Sequence, residues 1–364
     1  MSILLFILGL ILFVGLVVLH EFGHALAARR KGVEVEEFGI GFPPRAWSKK
    51  LKNGTVFSLN WLPLGGFVRL KGENDAATGK GTYGGASLWT KIQILLAGVV
   101  VNWLTAAVIF TILATTGLPQ ILPNQFTVPN DTTYAKREVI AGSVAKDSPA
   151  ERAGIKQGDR IARVANQDIT SAQHLTQITS SHPGQTVQFV VEQQGKTKTF
   201  AVTLNKERSE KQGYAGLGLG EEVLRRSTWS APIVGVGVTA QFTWVTLDGL
   251  GQTIAHLFKQ EFKEAGQNVA GPVGIFSILQ QSSQVGFTPV LFLIGIISLT
   301  LAVMNVLPIP ALDGGRLFVT LLFRALRKPL TKEREEAIQA GGMLALMVLV
   351  IIITFVDVGR FFGK

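Results

Sequence analysis

The feature that most constrains this chain is the point where its first apolar run stops. "SILLFILGLILFVGLVVLHEFGHALAARR" carries no charged side chain before Glu21. A bilayer core needs about 20 apolar residues to span it as a helix. Inside hydrocarbon every backbone polar group must be satisfied within the segment, so such a run folds as a helix. Yet this run delivers His20, Glu21 and His24 to its far end. Ionisable groups at such a depth are expensive and mark function. No basic residue precedes the run, so it reads as a retained span rather than a signal peptide.

Three further stretches are long and apolar enough to span: Ile92 to Leu118, Pro289 to Leu312, and Gly341 to Phe362. Ala231 to Phe258 is weaker, broken by Gln241, Asp248 and several glycines, and reads as an interfacial or groove-lining helix. Composition agrees: 47% of 364 residues are hydrophobic and only 16% charged, too apolar for an ordinary soluble chain of this length. The net charge of +10 does not point to nucleic acid. Arg29, Arg30, Lys31, Arg45, Lys49, Lys50, Lys52, Arg69, Lys71 and Lys91 lie between spans one and two. Arg316, Arg324, Arg327, Lys328, Lys332 and Arg334 lie between spans three and four. Such basic loops stay cytoplasmic, which puts the middle of the chain and both termini on the other side and requires an even number of spans.

Between spans one and two, "TVFSLNWLPLGGFVRLKGE" alternates like a strand pair around Pro63 and Gly65-Gly66. Its apolar residues fit a hairpin dipping into the membrane face and fit equally a hairpin with a small core of its own. From Glu138 to Leu204 the pattern is that of a compact soluble α+β domain. A helix opens at Ser148-Pro149 and stops at Gly154, a turn follows at Gly158-Asp159, and a hairpin turns at Gln194-Gly195.

H-E-x-x-H on a helix sets two imidazoles four residues apart on one face, separated by about 6 Å of rise. That arrangement suits two ligands of one zinc ion, with Glu21 beside it to take a proton from water. The plainer reading is a pair of interfacial histidines with Glu21 paired to Arg29. Zinc needs more ligands than two. The chain has no cysteine, so another histidine or a carboxylate must supply them. His174 and His182 fall in the soluble domain, His256 reads as a surface residue, and Asp357 has Arg360 nearby. Asp313, in "NVLPIPALDGGRL", ends the third span on the side where His20 and His24 end the first. It reads as the missing ligand, as the N-cap of the next helix, or as both. Pro308 and Pro310 break a regular helix and free backbone groups. With Asn305 these groups suit an extended substrate strand; the alternative is a kink that only shapes packing.

These motifs together resemble the site-2 protease family of intramembrane zinc metalloproteases, in its bacterial branch with a PDZ domain. HEFGH, the run Ser148 to Ile161 that looks like a PDZ domain, "EFGIGFPPRAW", "LPLGGFVRLKGE", "AGPVGI" and N-x-x-P-x-P-x-L-D-G carry the resemblance over nearly the whole chain. It departs in having room for one PDZ domain rather than two, and in reading A-G-V-V-V-N (Ala97 to Asn102) where many members have A-G-P-x-x-N.

The resemblance implies a polytopic α-helical membrane protein of about four transmembrane helices, with a membrane-associated β-loop and an inserted α+β PDZ domain. The expected layout is span one with HExxH over 1–30, the cytoplasmic β-loop over 31–87, and span two over 88–118. An extracytoplasmic PDZ domain follows over 119–226, then an interfacial segment over 227–285. Span three occupies 286–312, a cytoplasmic loop helix 313–340, and span four 341–364. His20, His24 and Asp313 become zinc ligands, Glu21 the general base, and Asn305, Pro308 and Pro310 substrate contacts. Expected partners are Zn2+, the lipid bilayer, and a trimmed single-span substrate such as an anti-sigma factor or a remnant signal peptide. The PDZ groove would take a peptide or exclude bulky substrates. The expected location is the bacterial cytoplasmic membrane. The rivals are a PDZ-bearing membrane chaperone or receptor without catalysis, and a zinc transporter.

Overall fold

A computed structural model describes residues 2–193, 196–207, 213–259, 261 and 271–362. The chain forms two compact units, one from residues 1–113 and 232–364, the other from residues 114–231.

In the first unit, α1 (Ser2–Arg30) is one unbroken helix that carries the apolar run and the histidine pair together. A hairpin of β1 (Val35–Lys50) and β2 (Val56–Leu70) follows. Both strands bend, so the hairpin pairs with itself twice. Val35–Ile40 pairs with Gly66–Leu70 on one side and, through Glu37–Ile40, with Val56–Leu59 on the other; Val56–Asn60 also pairs with Arg45–Lys50. One outer edge is therefore Gly66–Leu70 and the other is Arg45–Lys50. Glu37, buried at the centre, accepts hydrogen bonds from Ser58 Oγ (2.8 Å) and Arg45, and these hold its carboxyl below the usual range although burial works the other way. Phe42, Trp47, Leu59, Trp61 and Leu62 stay exposed. Ala25, Ala28, Val33, Val35, Leu70, Tyr83, Ile94 and Leu95 pack into one core that fastens the hairpin to the end of α1 and the start of α2 (Leu88–Thr116).

Among the described residues five helices are long and apolar enough to cross a membrane, where about four spans were expected. The addition is α5 (Ala231–Phe258). Its interruptions do not break the helix: Asp248 Oδ2 accepts Gln252 Nε2 at 2.7 Å, and the hydroxyls of Thr239, Thr243, Thr246 and Thr253 each donate to the carbonyl four residues back. That is how polar side chains are carried in a helix without water. α5 packs along α2, where Trp103 Nε1 donates to Thr243 Oγ1 at 3.1 Å and Phe110 stacks on Phe242. Next come α6 (Pro272–Val285), α7 (Phe287–Val306), α8 (Asp313–Ala325) and α9 (Lys332–Phe362). α9 begins nine residues before the expected start of span four, because nothing between Lys332 and Gly341 breaks a helix. Asp357 accepts the Gly274 N–H at 2.7 Å, capping the start of α6; the Arg360 side chain lies outside the described residues.

The second unit is a sheet with two short helices. β3 (Leu118–Pro119), β4 (Thr133–Val144), β5 (Arg160–Val164), β6 (Gln167–Asp168), β7 (Thr186–Gln193), β8 (Lys196–Thr203) and β9 (Leu217–Arg226) are ordered β3-β9-β4-β5-β7-β8, with β6 on β5. α3 (Pro149–Ala153) starts where Ser148 Oγ accepts the Glu151 N–H and stops at Gly154, whose φ of +97° a side chain would resist. α4 (Ala172–Ser180) closes the core with Leu175 over Val139, Ile161, Val164, Phe189 and Val191. The expected turn at Gln194-Gly195 lies outside the described residues.

Candidate metal centre

α1 presents His20 and His24 on one face, both buried. The partner arrives from 293 residues away: Asp313 Oδ2 lies 3.0 Å from His20 Nε2 and 3.2 Å from His24 Nε2. The two Nε2 atoms are 3.1 Å apart. Among the described residues this is the one cluster of at least three potential metal ligands. Its spacing fits zinc. A tetrahedral ion with ligands at about 2.0 Å has ligand–ligand edges of about 3.3 Å. Two imidazoles and a carboxylate are also a donor set that catalytic zinc takes.

The chain reaches this geometry by ending α7 at Val306 and running non-helically to Leu312. Leu307 and Leu312 extend, and Ala311 sits at φ +78°, a conformation costly for a residue with a Cβ. It is held there by a hydrogen bond from its N–H to Gln339 Oε1 on α9, at 2.6 Å. Leu312, not Asp313, takes the N-cap position of α8, with no side-chain cap hydrogen bond. The Asp313 carboxylate lies against the two histidines. Burial would raise its pKa, but the hydrogen bonds and charge of His20 and His24 outweigh it and hold the carboxyl below the usual range.

Glu21, beside the pair, accepts the Val68 N–H through Oε2 at 3.0 Å. The outer edge of β2 thus lies against it. A cavity of about 910 Å³ opens here, lined by Glu21, His24, Val68, Leu312, Asp313 and Arg316 among others. Asn305, Pro308 and Pro310 are not in its wall. Asn305 Nδ2 donates back to Leu301 O at 3.0 Å in the last turn of α7. Pro308 is exposed and Pro310 half-buried, shaping the bend that brings Ala311 and Leu312 to the cavity.

Arg316, one turn after Asp313, anchors this corner. Its Nη1 meets Glu73 Oε1 at 2.9 Å, Nη2 donates to Glu73 O, and Nε meets Glu335 Oε1 at 3.1 Å. Glu335 also accepts the Asp75 N–H, and Asp75 pairs with the fully buried Lys91. Arg316 and Lys91 flank the Tyr83 ring, whose phenol burial pushes up. Sequence reasoning missed this network, and also missed Asn102, whose Nδ2 lies 3.3 Å from His20 Nδ1. The signal for Asn102 was present: it is the strongly polar residue inside the second apolar stretch. The other histidines lie elsewhere, His256 against Glu261 at the surface and His174 and His182 in the second unit.

Comparison with known proteins follows the same outline. The sequence pattern of Peptidase family M50 matches residues 8–349. The "Probable protease eep" of Enterococcus faecalis is 26% identical over 97% of this chain and 98% of its own. The "Zinc metalloprotease RasP" of Geobacillus kaustophilus is 26% identical over 97% of each. The "Regulator of sigma-W protease RasP" of Bacillus subtilis is 25% identical over 97% of this chain and 98% of its own.

Proposed function

We propose, from the premise that this chain belongs to Peptidase family M50, that it is a zinc metalloendopeptidase cutting peptide bonds within membrane-spanning segments. The convergence of His20 Nε2, His24 Nε2 and Asp313 Oδ2 within 3.2 Å of one another carries the reading. Those three residues would hold the ion, and bound there it supplies a Lewis acid and a water of lowered pKa.

The protein's own groups do the rest. Glu21 accepts a proton from the attacking water and returns it to the leaving amide nitrogen. The Val68 N–H holds one of its oxygens, which keeps the carboxylate aimed while the cavity admits water. A peptide bond within a helix is shielded, so a substrate must unwind to be cut. The β2 edge beside Glu21 and the non-helical stretch after Val306 offer backbone groups to an extended strand. In this reading Asn305, Pro308 and Pro310 shape and contact that strand.

The basic loops favour a multi-pass protein of the bacterial cytoplasmic membrane, with the metal centre toward the cytoplasm and residues 119–226, read as a PDZ domain, on the far side. The substrate class is a single-span protein already trimmed on that far side, such as an anti-sigma factor, or a remnant signal peptide. The PDZ domain takes its peptide or excludes bulky substrates. The test pairs cleavage with metal content. Wild type should cut a co-expressed, trimmed single-span reporter and carry one zinc. Glu21→Gln should keep zinc and stop cutting, and His20→Ala and Asp313→Ala should lose zinc. Full cleavage by Glu21→Gln would overturn the mechanism, and a protein without zinc would turn the reading toward a chaperone or receptor.

A further inference from the structure

α2 meets the metal centre through residues one helical turn apart. Gly98 supplies room: a Cβ there would stand 2.5 Å from His24 Nε2, 2.6 Å from His20 Cε1 and 2.8 Å from His20 Nδ1. Asn102 supplies the polar group, fully buried, its Nδ2 at 3.3 Å from His20 Nδ1. Its backbone carbonyl accepts Ser298 Oγ at 2.8 Å, so this turn of α2 is pinned to α7.

The two histidines need outer partners of a definite kind. A ring nitrogen binds a metal through its lone pair, so the other nitrogen must carry the proton and donate it. For His24 this is settled by Ile94 O, which only accepts and lies 2.8 Å from Nδ1. That leaves the His24 Nε2 lone pair facing Asp313. For His20 the group beside Nδ1 is the Asn102 amide. With Nδ2 turned toward it, Nδ1 must be bare, the proton sits on Nε2, and Nε2 is blocked. Turned over, the same amide presents Oδ1, accepts the Nδ1 proton and frees Nε2. Oδ1 is buried and has no partner, so turning the amide breaks no other hydrogen bond.

We infer that Asn102 is a positioning residue that fixes the metal-binding tautomer of His20 by accepting its Nδ1 proton through Oδ1. α2 then provides the outer partner of both histidines, Ile94 O for one and Asn102 for the other, and Gly98 provides the space in which they meet. This rests on the zinc reading above. Outer partners of ligating histidines typically change metal affinity by about 10–100-fold.

The experiment measures zinc affinity of the purified full-length chain by chelator competition, alongside reporter cleavage. Asn102→Leu keeps the volume and removes the acceptor; its zinc affinity should fall about 10–100-fold. Asn102→Asp keeps an acceptor and should stay within about threefold of wild type, whereas a purely space-filling role leaves zinc affinity unchanged in both variants. Gly98→Ala should weaken zinc through displacement of the rings. Wild-type zinc affinity in Asn102→Leu overturns the inference, as does an equal loss in Asn102→Leu and Asn102→Asp. If Asn102→Leu does not fold, Asn102→Asp decides alone: a tenfold or greater loss in that folded variant overturns it. The zinc reading fails separately, and takes this inference with it, if wild type and His24→Ala hold zinc equally.

Discussion

Gly315→Ala tests whether the placement of Asp313 is what makes the centre. Asp313 opens α8, and Gly314 and Gly315 follow it against the backbone of the stretch that ends α7. A Cβ at Gly315 would stand 2.6 Å from Pro310 N and nearer still to the Ile309 carbonyl, where real Cβ contacts are not found under 3.0 Å. The obstacle is backbone, so no side chain can swing aside. Either the first turn of α8 or residues 307–310 must give way, by about 1 Å at the Ile309 carbonyl, a scale at which misplacement costs about 100-fold in rate. Both routes carry Asp313 away from contacts of 3.0 and 3.2 Å, in a site whose ligand distances tolerate about 0.2 Å. The expected result is cleavage reduced about 100-fold, with zinc affinity reduced in parallel. The assay is reporter cleavage at matched amounts of purified protein, with zinc titrated on the same samples. Gly341→Ala is the control, because a Cβ there meets nothing within 4 Å. Gly315→Ala retaining full zinc and cleavage within about threefold of wild type would refute the reasoning.

Other expectations follow from the same contacts. Arg316→Met leaves Glu73 and the buried Glu335 facing each other without a cation; breaking such a network costs about 3–5 kcal/mol, seen as earlier thermal unfolding in detergent. Lys91→Met should behave alike, since it strands Asp75, and an unchanged melting temperature would count against the buried network. Val68→Pro removes the N–H that aims Glu21 and should lower cleavage while zinc content holds. In the second unit, Asp131 takes hydrogen bonds from Ser230 and Thr228, which hold its pKa at about 2. Because the folded value is depressed, this stabilisation is present above the ordinary carboxylate pKa of about 3.9 and lost as pH falls toward 2. Asp131→Asn should flatten that part of an acid unfolding curve.

The sequence by itself determined what depends on local period and on solvent. A long apolar run must be a helix in a bilayer, and residues four apart on a helix share a face, so His20 and His24 were legible as a pair. The absence of cysteine and the paucity of histidine narrowed the candidates for a third ligand toward Asp313. Two prolines announced that the helix would end before it, as it does at Val306. The tertiary structure decided which helices are neighbours, and no periodicity encodes that. Only packing brings Ile94 and Asn102 of α2 behind the two imidazoles, requires glycine at position 98, and lays the Val68 N–H against Glu21. Only packing gives the buried Lys91 its partner from the loop after the hairpin. α5 shows the same limit: that it runs as one helix, its threonine hydroxyls bonded to carbonyls four residues back, could not be read from a stretch interrupted by Gln241, Asp248 and glycines. Ligand identity is a property of residues and spacing, whereas tautomer, aim and clearance are set by what packs behind the ligands.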